Sequence, residues 1–255
     1  MQARMTFFNK KCIFEQKKHK LEIINLKSEI IIVTLHSIMN RFTLGKIVKF
    51  FLHLHYDIRV TGEEVLRDNS VHLVMPNHSA YIDPVILFAE EWWLPMCPMS
   101  DERFVRHGVY GRFLKMADVM EVPDLTKSAM TREEGVEATR QLSRVAIDAL
   151  AAGKPVCLYP SGHVMLVNRE VIGNRRVAYE VCRELPEGVR VILCRMWGLE
   201  HSWFSKLSTN WKWRRTVTIH FEDHTDDVRN WAQTLNRRDF NARLEEWYNE
   251  RRKGE

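Results

Sequence analysis

Apolar positions in this chain follow two different spacings. The short stretches "VHLVMP" (71–76), "KPVCLYP" (154–160) and "GVRVILCRM" (188–196) are almost continuously apolar, the pattern of strands covered on both faces. "LPMCPMS" (94–100) and "DVMEVP" (118–123) predict two more strands, the first weakened by its prolines. "RTVTIHFE" (215–222) alternates, as a half-covered strand does. Between them the spacing changes to three and four. It predicts helices over 101–117, over "TREEGVEATRQLSRVAIDALAAG" (131–153), over "NRRVAYEVCREL" (174–185), and a long polar one over 226–252. Thr131 with Glu134 three residues on is a capping box, and Gly153 a stop signal. Strands alternating with helices predict an α/β fold: one domain with a mostly parallel central sheet flanked by helices.

The start of the chain differs from the rest. Residues 1–29 are Lys-rich, of mixed polarity, without glycine or proline. Met39 is a natural start for the domain, so 1–38 is expected to be an extension, poorly ordered, ahead of an α/β domain over 39–225 and a C-terminal helix over 226–255. "MNRFTLGKIVKFFLHLHYD" (39–57) places Phe42, Ile47, Phe50, Phe51 and Leu54 at helical spacing, with Arg41, Lys46 and Lys49 between them. This predicts an amphipathic basic N-terminal helix. It packs on the core, or it lies on a bilayer, where each basic side chain adds about 1 kcal/mol near anionic lipid. No run reaches the roughly 18 to 20 apolar residues a spanning helix needs. "IIIVTLHSIM" (30–39) is too short, and "PVILFAEEWWLPMCPM" (84–99) carries two Glu.

Composition narrows the class modestly. The chain is 45% hydrophobic and 28% charged, the balance of a globular protein. A net charge of +5 suits phosphate-bearing partners without requiring one. Five cysteines, none in a CxxC pair, predict reduced, mostly buried thiols, a cytoplasmic compartment and no metal site. "NWKWRR" (210–215) mixes Trp with cations. The basic residues do not extend into a stripe, so a loop or membrane edge is expected there rather than nucleic-acid binding.

The candidate chemistry sits in "VMPNHSAYIDPVILF" (74–88). A His five residues before an Asp arises by chance roughly half a time in such a chain. Its place adds weight: His78 follows a buried-strand candidate, at the carboxyl end where α/β folds put their sites. A carboxylate accepting from one imidazole nitrogen fixes the tautomer and stabilises the imidazolium. His78 can then act as a general base, with Asp83 orienting it. A structural His–Asp hydrogen bond fits the pair equally well.

"NHSAYID" followed by "LYPSGHV" (158–164) resembles the glycerolipid and lysophospholipid acyltransferase family, with its H-x-x-x-x-D block and later Pro-Glu-Gly block. The resemblance spans about residues 40–222. It implies transfer of a fatty acyl group from an acyl-CoA or acyl carrier protein thioester to a hydroxyl of a lipid acceptor. His78 would be the base and Asp83 its partner, with no bound cofactor and no covalent acyl-enzyme. It implies a peripheral enzyme on the cytoplasmic face of a membrane. Asn77, Ser79, Ser161, Gly162, His163 and Arg195 are the substrate-binding candidates. Three blocks depart from the family pattern. "ADVMEVPDL" (117–125) lacks the usual Arg, Ser161-Gly162-His163-Val164 stands for Glu-Gly-Thr-Arg, and Arg195 stands near the usual proline of the last block. "PSG" with "WGLEHSWFS" (197–205) resembles a bacterial subgroup of the family. Arg169, Arg175, Arg176 and Arg195 are candidates to replace the lost cations. The losses also leave room for a non-catalytic lipid-binding member of the fold, or a thioester hydrolase.

Overall fold

A computed structural model describes residues 41–106, 111, 114–115, 118–122, 131–207 and 212–250. The chain divides into two compact units, Met1–Leu44 and Gly45–Glu255. The second is an α/β domain. Of the first, Arg41–Leu44 open helix α1, and the expected extension over 1–38 lies outside the described residues.

The elements run α1 (Arg41–His55), β1 (Tyr56–Thr61), β2 (His72–Pro76), α2 (Asp83–Glu90), β3 (Cys97–Asp101), α3 (Glu102–Arg106), β4 (Met120–Val122), α4 (Arg132–Ala151), β5 (Val156–Cys157), α5 (Val177–Arg183), β6 (Arg190–Trp197), β7 (Arg215–Asp223), α6 (Thr225–Thr234) and α7 (Arg237–Asn249). They build a seven-stranded sheet of order β1-β7-β6-β2-β5-β3-β4. Every described pairing is parallel except β6 with β7. The predicted mostly parallel α/β sheet is therefore present.

The two-residue period of the strands divides the core. Val74 of β2 with Ile192, Cys194 and Met196 of β6 joins one cluster, which α2 covers with Ile86, Leu87 and Phe88. Leu73 and Met75 with Val191 and Leu193 join the other, against Ala146 and Leu150 of α4 and Phe240, Leu244 and Trp247 of α7. A strand buried on both faces shows no alternation in sequence, which is why 71–76 and 188–196 read as continuous apolar runs. Cys97, Cys157, Cys182 and Cys194 are buried free thiols.

Three expectations change, and a fourth is tested only in part. The stretch 154–160 pairs as a strand only at Val156–Cys157, because it must turn into Pro160 and Ser161. The helix expected over 101–117 is described as α3, Glu102–Arg106, and most of its remainder lies outside the described residues. Helix α1 ends at His55, and "YDIRVT" runs directly into β1, parallel to β7; no turn signal separates them. The single polar helix over 226–252 is two helices. Leu235 is extended, and the Asn236 Oδ1 caps α7 by accepting from the N–H groups of Arg238 (3.0 Å) and Asp239 (3.1 Å). The break lets α7 turn its apolar strip onto the sheet. The Thr131 capping box forms as predicted.

Helix α1 meets the domain with a mixed face, Leu52 and Val48 packing on the core beside two polar contacts. Lys49 (2.7 Å) and His53 (2.8 Å) both contact the buried Glu90 carboxylate. Lys46 lies over the Trp92 ring. At Gly45 a Cβ would come within 2.5 Å of the Trp92 Cβ, so glycine permits the close crossing. Leu52 is buried in the core, while Ile47, Phe50, Phe51 and Leu54 are exposed. The helix thus leaves a second apolar strip open to solvent, which an ordinary surface helix does not.

Candidate active site

Strand β2 ends at Pro76, and the next residues cannot continue the sheet because the chain must reverse into α2. Asn77 holds the corner. Its Oδ1 accepts the Met196 N–H at 2.6 Å and its Nδ2 donates to the Met196 carbonyl at 2.9 Å. The Ser79 hydroxyl donates to that carbonyl at 2.8 Å. Both residues are fully buried. They were expected to bind substrate; the structure puts them in the wall behind His78, tying the corner to β6.

Asp83 opens α2 and folds back over the turn. Its Oδ2 accepts from the backbone N–H groups of Ser79 (2.5 Å) and Ala80 (2.9 Å) and faces the Nδ1 of His78 at 3.2 Å. Its place in the first turn of the helix favours the charged form. Burial outweighs this and raises the carboxyl above its ordinary range, with His78 and the two backbone donors opposing. A carboxylate on the Nδ1 side favours the tautomer with its proton on Nδ1, which leaves the Nε2 lone pair free. The His78 side chain is 16% exposed, against 0% for Asp83. Only the His is therefore open to a reactant. Tyr159 stacks against its ring, with centroids 4.4 Å apart.

The segment 161–171 forms the facing side of the site. The His78 carbonyl accepts the Met165 N–H at 2.8 Å, and the His78 N–H donates to Glu170 at 3.1 Å. Ser161 is buried and donates to the His163 carbonyl at 3.0 Å. Gly162 is exposed, with φ +65°, and a Cβ at this position would meet nothing within 4 Å. Burial lowers the proton affinity of the half-buried His163; the Val164 carbonyl opposes this, and Arg175 and Lys206 add to it. A cavity of about 340 Å³ opens among His163, Met165, Leu166, Val167, Arg169 and Glu170.

Arg195 lies elsewhere. It is buried on the face covered by α7, where its Nε donates to the Trp247 carbonyl at 2.8 Å. Its guanidinium stands 3.7 Å from the centre of the Trp247 ring and 3.5 Å from Glu250. Arg176 sits 3.8 Å from Glu180. Among the described residues, no group of three His, Cys, Asp or Glu could hold a metal ion.

A family model described as Acyltransferase matches residues 57–196, more than half of the chain, and its span includes His78, Asp83 and the Ser161–Gly162 turn. The chain belongs to the acyltransferase family. A solved relative in fold is the 1-acyl-sn-glycerophosphate (LPA) acyltransferase PlsC from Thermotoga maritima. It matches with a TM-score of 0.50 at 14% identity, over 84% of this chain and 82% of that one. No curated protein sequence matches. This acyltransferase thus carries the family fold with His78 beside Asp83, although its later sequence blocks differ. Tyr159, Glu170 and Lys206 were missed from sequence as site residues. Tyr159 adjoins the Pro-Ser-Gly block and was within reach of a sequence argument. Glu170 and Lys206 carry no motif; chain folding brings Glu170 to the His78 N–H and Lys206 over the ring of Tyr81.

Proposed function

We propose that this acyltransferase moves a fatty acyl group from an acyl-CoA or acyl carrier protein thioester to the hydroxyl of a glycerolipid or lysophospholipid acceptor at a membrane surface. The observation that carries it is the His78 Nδ1–Asp83 Oδ2 contact at 3.2 Å, with the carboxylate buried and the imidazole partly open. His78 Nε2 takes the acceptor hydroxyl proton as its oxygen attacks the thioester carbonyl. The tetrahedral intermediate collapses, the C–S bond breaks, and the imidazolium returns the proton to the departing thiolate. The products are an ester and a free thiol. General-base assistance of this kind is worth about 10²- to 10⁴-fold in rate.

The acceptor side is the surface of Gly162, His163, Arg169, Arg175 and Lys206, whose cations suit an anionic headgroup. The exposed apolar strip of α1 supports contact with the cytoplasmic surface of a bilayer, and exposed Trp213, 5.5 Å from the His55 ring, extends its edge. Among the described residues no helix is long and apolar enough to cross a membrane.

The test is transfer of labelled acyl from both donors into a panel of lysolipids by wild type and His78→Ala. Labelled ester from wild type alone is expected. Undiminished turnover by a folded His78→Ala protein would remove His78 as the base.

A further inference from the structure

The family's third block carries an acidic residue where this chain has Ser161. An acid nine residues further along reaches the His78 backbone instead. Glu170 is 1% exposed, and its Oε2 accepts the backbone N–H of His78 at 3.1 Å. Burial raises the Glu170 carboxyl above its ordinary range, with the nearby Ser161 hydroxyl opposing. While that hydroxyl gives its proton to the His163 carbonyl, Glu170 Oε1 is buried without a partner. A buried carboxylate with an unfilled acceptor is expensive to keep for packing alone.

Glu170 is held in turn by the C-terminal helix. The Asn249 Oδ1 accepts the Glu170 N–H at 2.9 Å, and its Nδ2 donates to the Glu170 carbonyl at 3.0 Å. Next to it, the Tyr248 hydroxyl donates to the Met75 carbonyl at 2.7 Å, at the end of the strand that leads to His78. The last turn of α7 therefore grips both the strand before the site and the residue that holds the His78 backbone. The His78 N–H is a donor at a point where the sheet has ended, and Glu170 satisfies it.

Given His78 as the base, we propose that Glu170 is a positioning residue for acyl transfer: it substitutes for the acid missing at position 161, fixes the His78 backbone, and couples the C-terminal helix to the site through Asn249. It acts by keeping the imidazole where the acceptor hydroxyl arrives, and displacement of a catalytic group by about 1 Å costs on the order of 10²-fold in rate.

The experiment measures kcat and KM for acyl transfer, below each protein's unfolding midpoint, in Glu170→Ala, Glu170→Gln, and Glu170→Ala combined with Ser161→Glu. His78→Ala is run beside them. In Glu170→Ala, kcat is expected to fall about 10²-fold with KM for both substrates little changed. Glu170→Gln keeps an oxygen for the His78 N–H and stays within about tenfold of wild type. Ser161→Glu restores at least tenfold by returning the acid to the position the family uses. Wild-type kcat in folded Glu170→Ala overturns the assignment. So does a kcat loss that Ser161→Glu leaves unchanged, since packing alone would then explain it. If Glu170→Ala does not fold, Asn249→Ala frees Glu170 without removing it; a lowered kcat at unchanged KM supports the coupling, and an unchanged kcat overturns it. Activity in His78→Ala would instead remove the base assignment, an outcome separate from any result at Glu170.

Discussion

Replacing Asp83 by Asn separates two roles of the carboxylate. Oδ2 takes three donors: the Ser79 N–H, the Ala80 N–H and the His78 ring. An Asn placed here has one oxygen. Turning its NH2 toward the His would set it against two backbone donors at 2.5 and 2.9 Å, so the oxygen is forced into the Oδ2 position. The His78 tautomer is then kept, and only the negative charge is lost. At 3.2 Å, a carboxylate and an imidazolium attract by about 5 kcal/mol at an effective dielectric constant near 20. An amide dipole retains part of that attraction. The expected loss is about 3 kcal/mol of transition-state stabilisation, or roughly 10²-fold in kcat. The NH2 then occupies the site of Oδ1, already buried without a partner in the wild type, so one unpaired group replaces another and stability should change little. Asp83→Ala strands both backbone N–H groups and frees the ring, so it should be the more damaging change on both counts. Labelled-acyl transfer and urea unfolding of the two variants decide the matter. An Asn variant as inactive as His78→Ala would mean the amide had turned and the tautomer had been lost, refuting the three-donor argument. An Asn variant with wild-type kcat would show that the charge is not used.

Burial and the nearby Glu63 push the Glu91 carboxyl up to about 7, with Lys49 opposing. A carboxyl raised in the folded state favours folding only when protonated, so its contribution is intact below about pH 4.5 and is lost as pH rises through 7. The loss reaches about 3 kcal/mol; urea midpoints at pH 5 and 8 should show it, and Glu91→Gln should abolish the difference. Phe50 and Phe51 are each 62% exposed. Phe50→Ser with Phe51→Ser should weaken binding to anionic vesicles at least tenfold without lowering the unfolding midpoint, and equal binding would remove α1 as the membrane contact. At Gly198, with φ +102°, a Cβ would stand 2.1 Å from the Thr216 carbonyl oxygen. Gly198→Ala should cost several kcal/mol or prevent folding, whereas Gly162→Ala, in open space at φ +65°, should cost about 1 to 2 kcal/mol; similar thermal midpoints for the two would contradict the close approach.

The sequence by itself determined the α/β class, because runs such as 71–76 and 188–196 are apolar without alternation, and only strands covered on both faces need that. It determined the His78–Asp83 pair, because both residues lie within one turn and their meeting depends on local geometry alone. It determined the capping box at Thr131 for the same reason. Tertiary structure decided what distance in the chain had concealed. Which side α1 turned to the body depended on Glu90 and Trp92, which lie in a different part of the chain. Asn77 and Ser79 look like site residues beside His78, but the Met196 backbone draws them into the wall. Arg195 is one of four candidate cations in sequence, and the odd–even side of β6 sent it under Trp247. Glu170 and Asn249 carry no motif, since a carboxylate and an amide become a clamp on His78 only when a loop and the last helical turn meet there. Short-range patterns survive as sequence signals because few conformations satisfy them; long-range contacts do not, because any of many polar residues could have filled the same place.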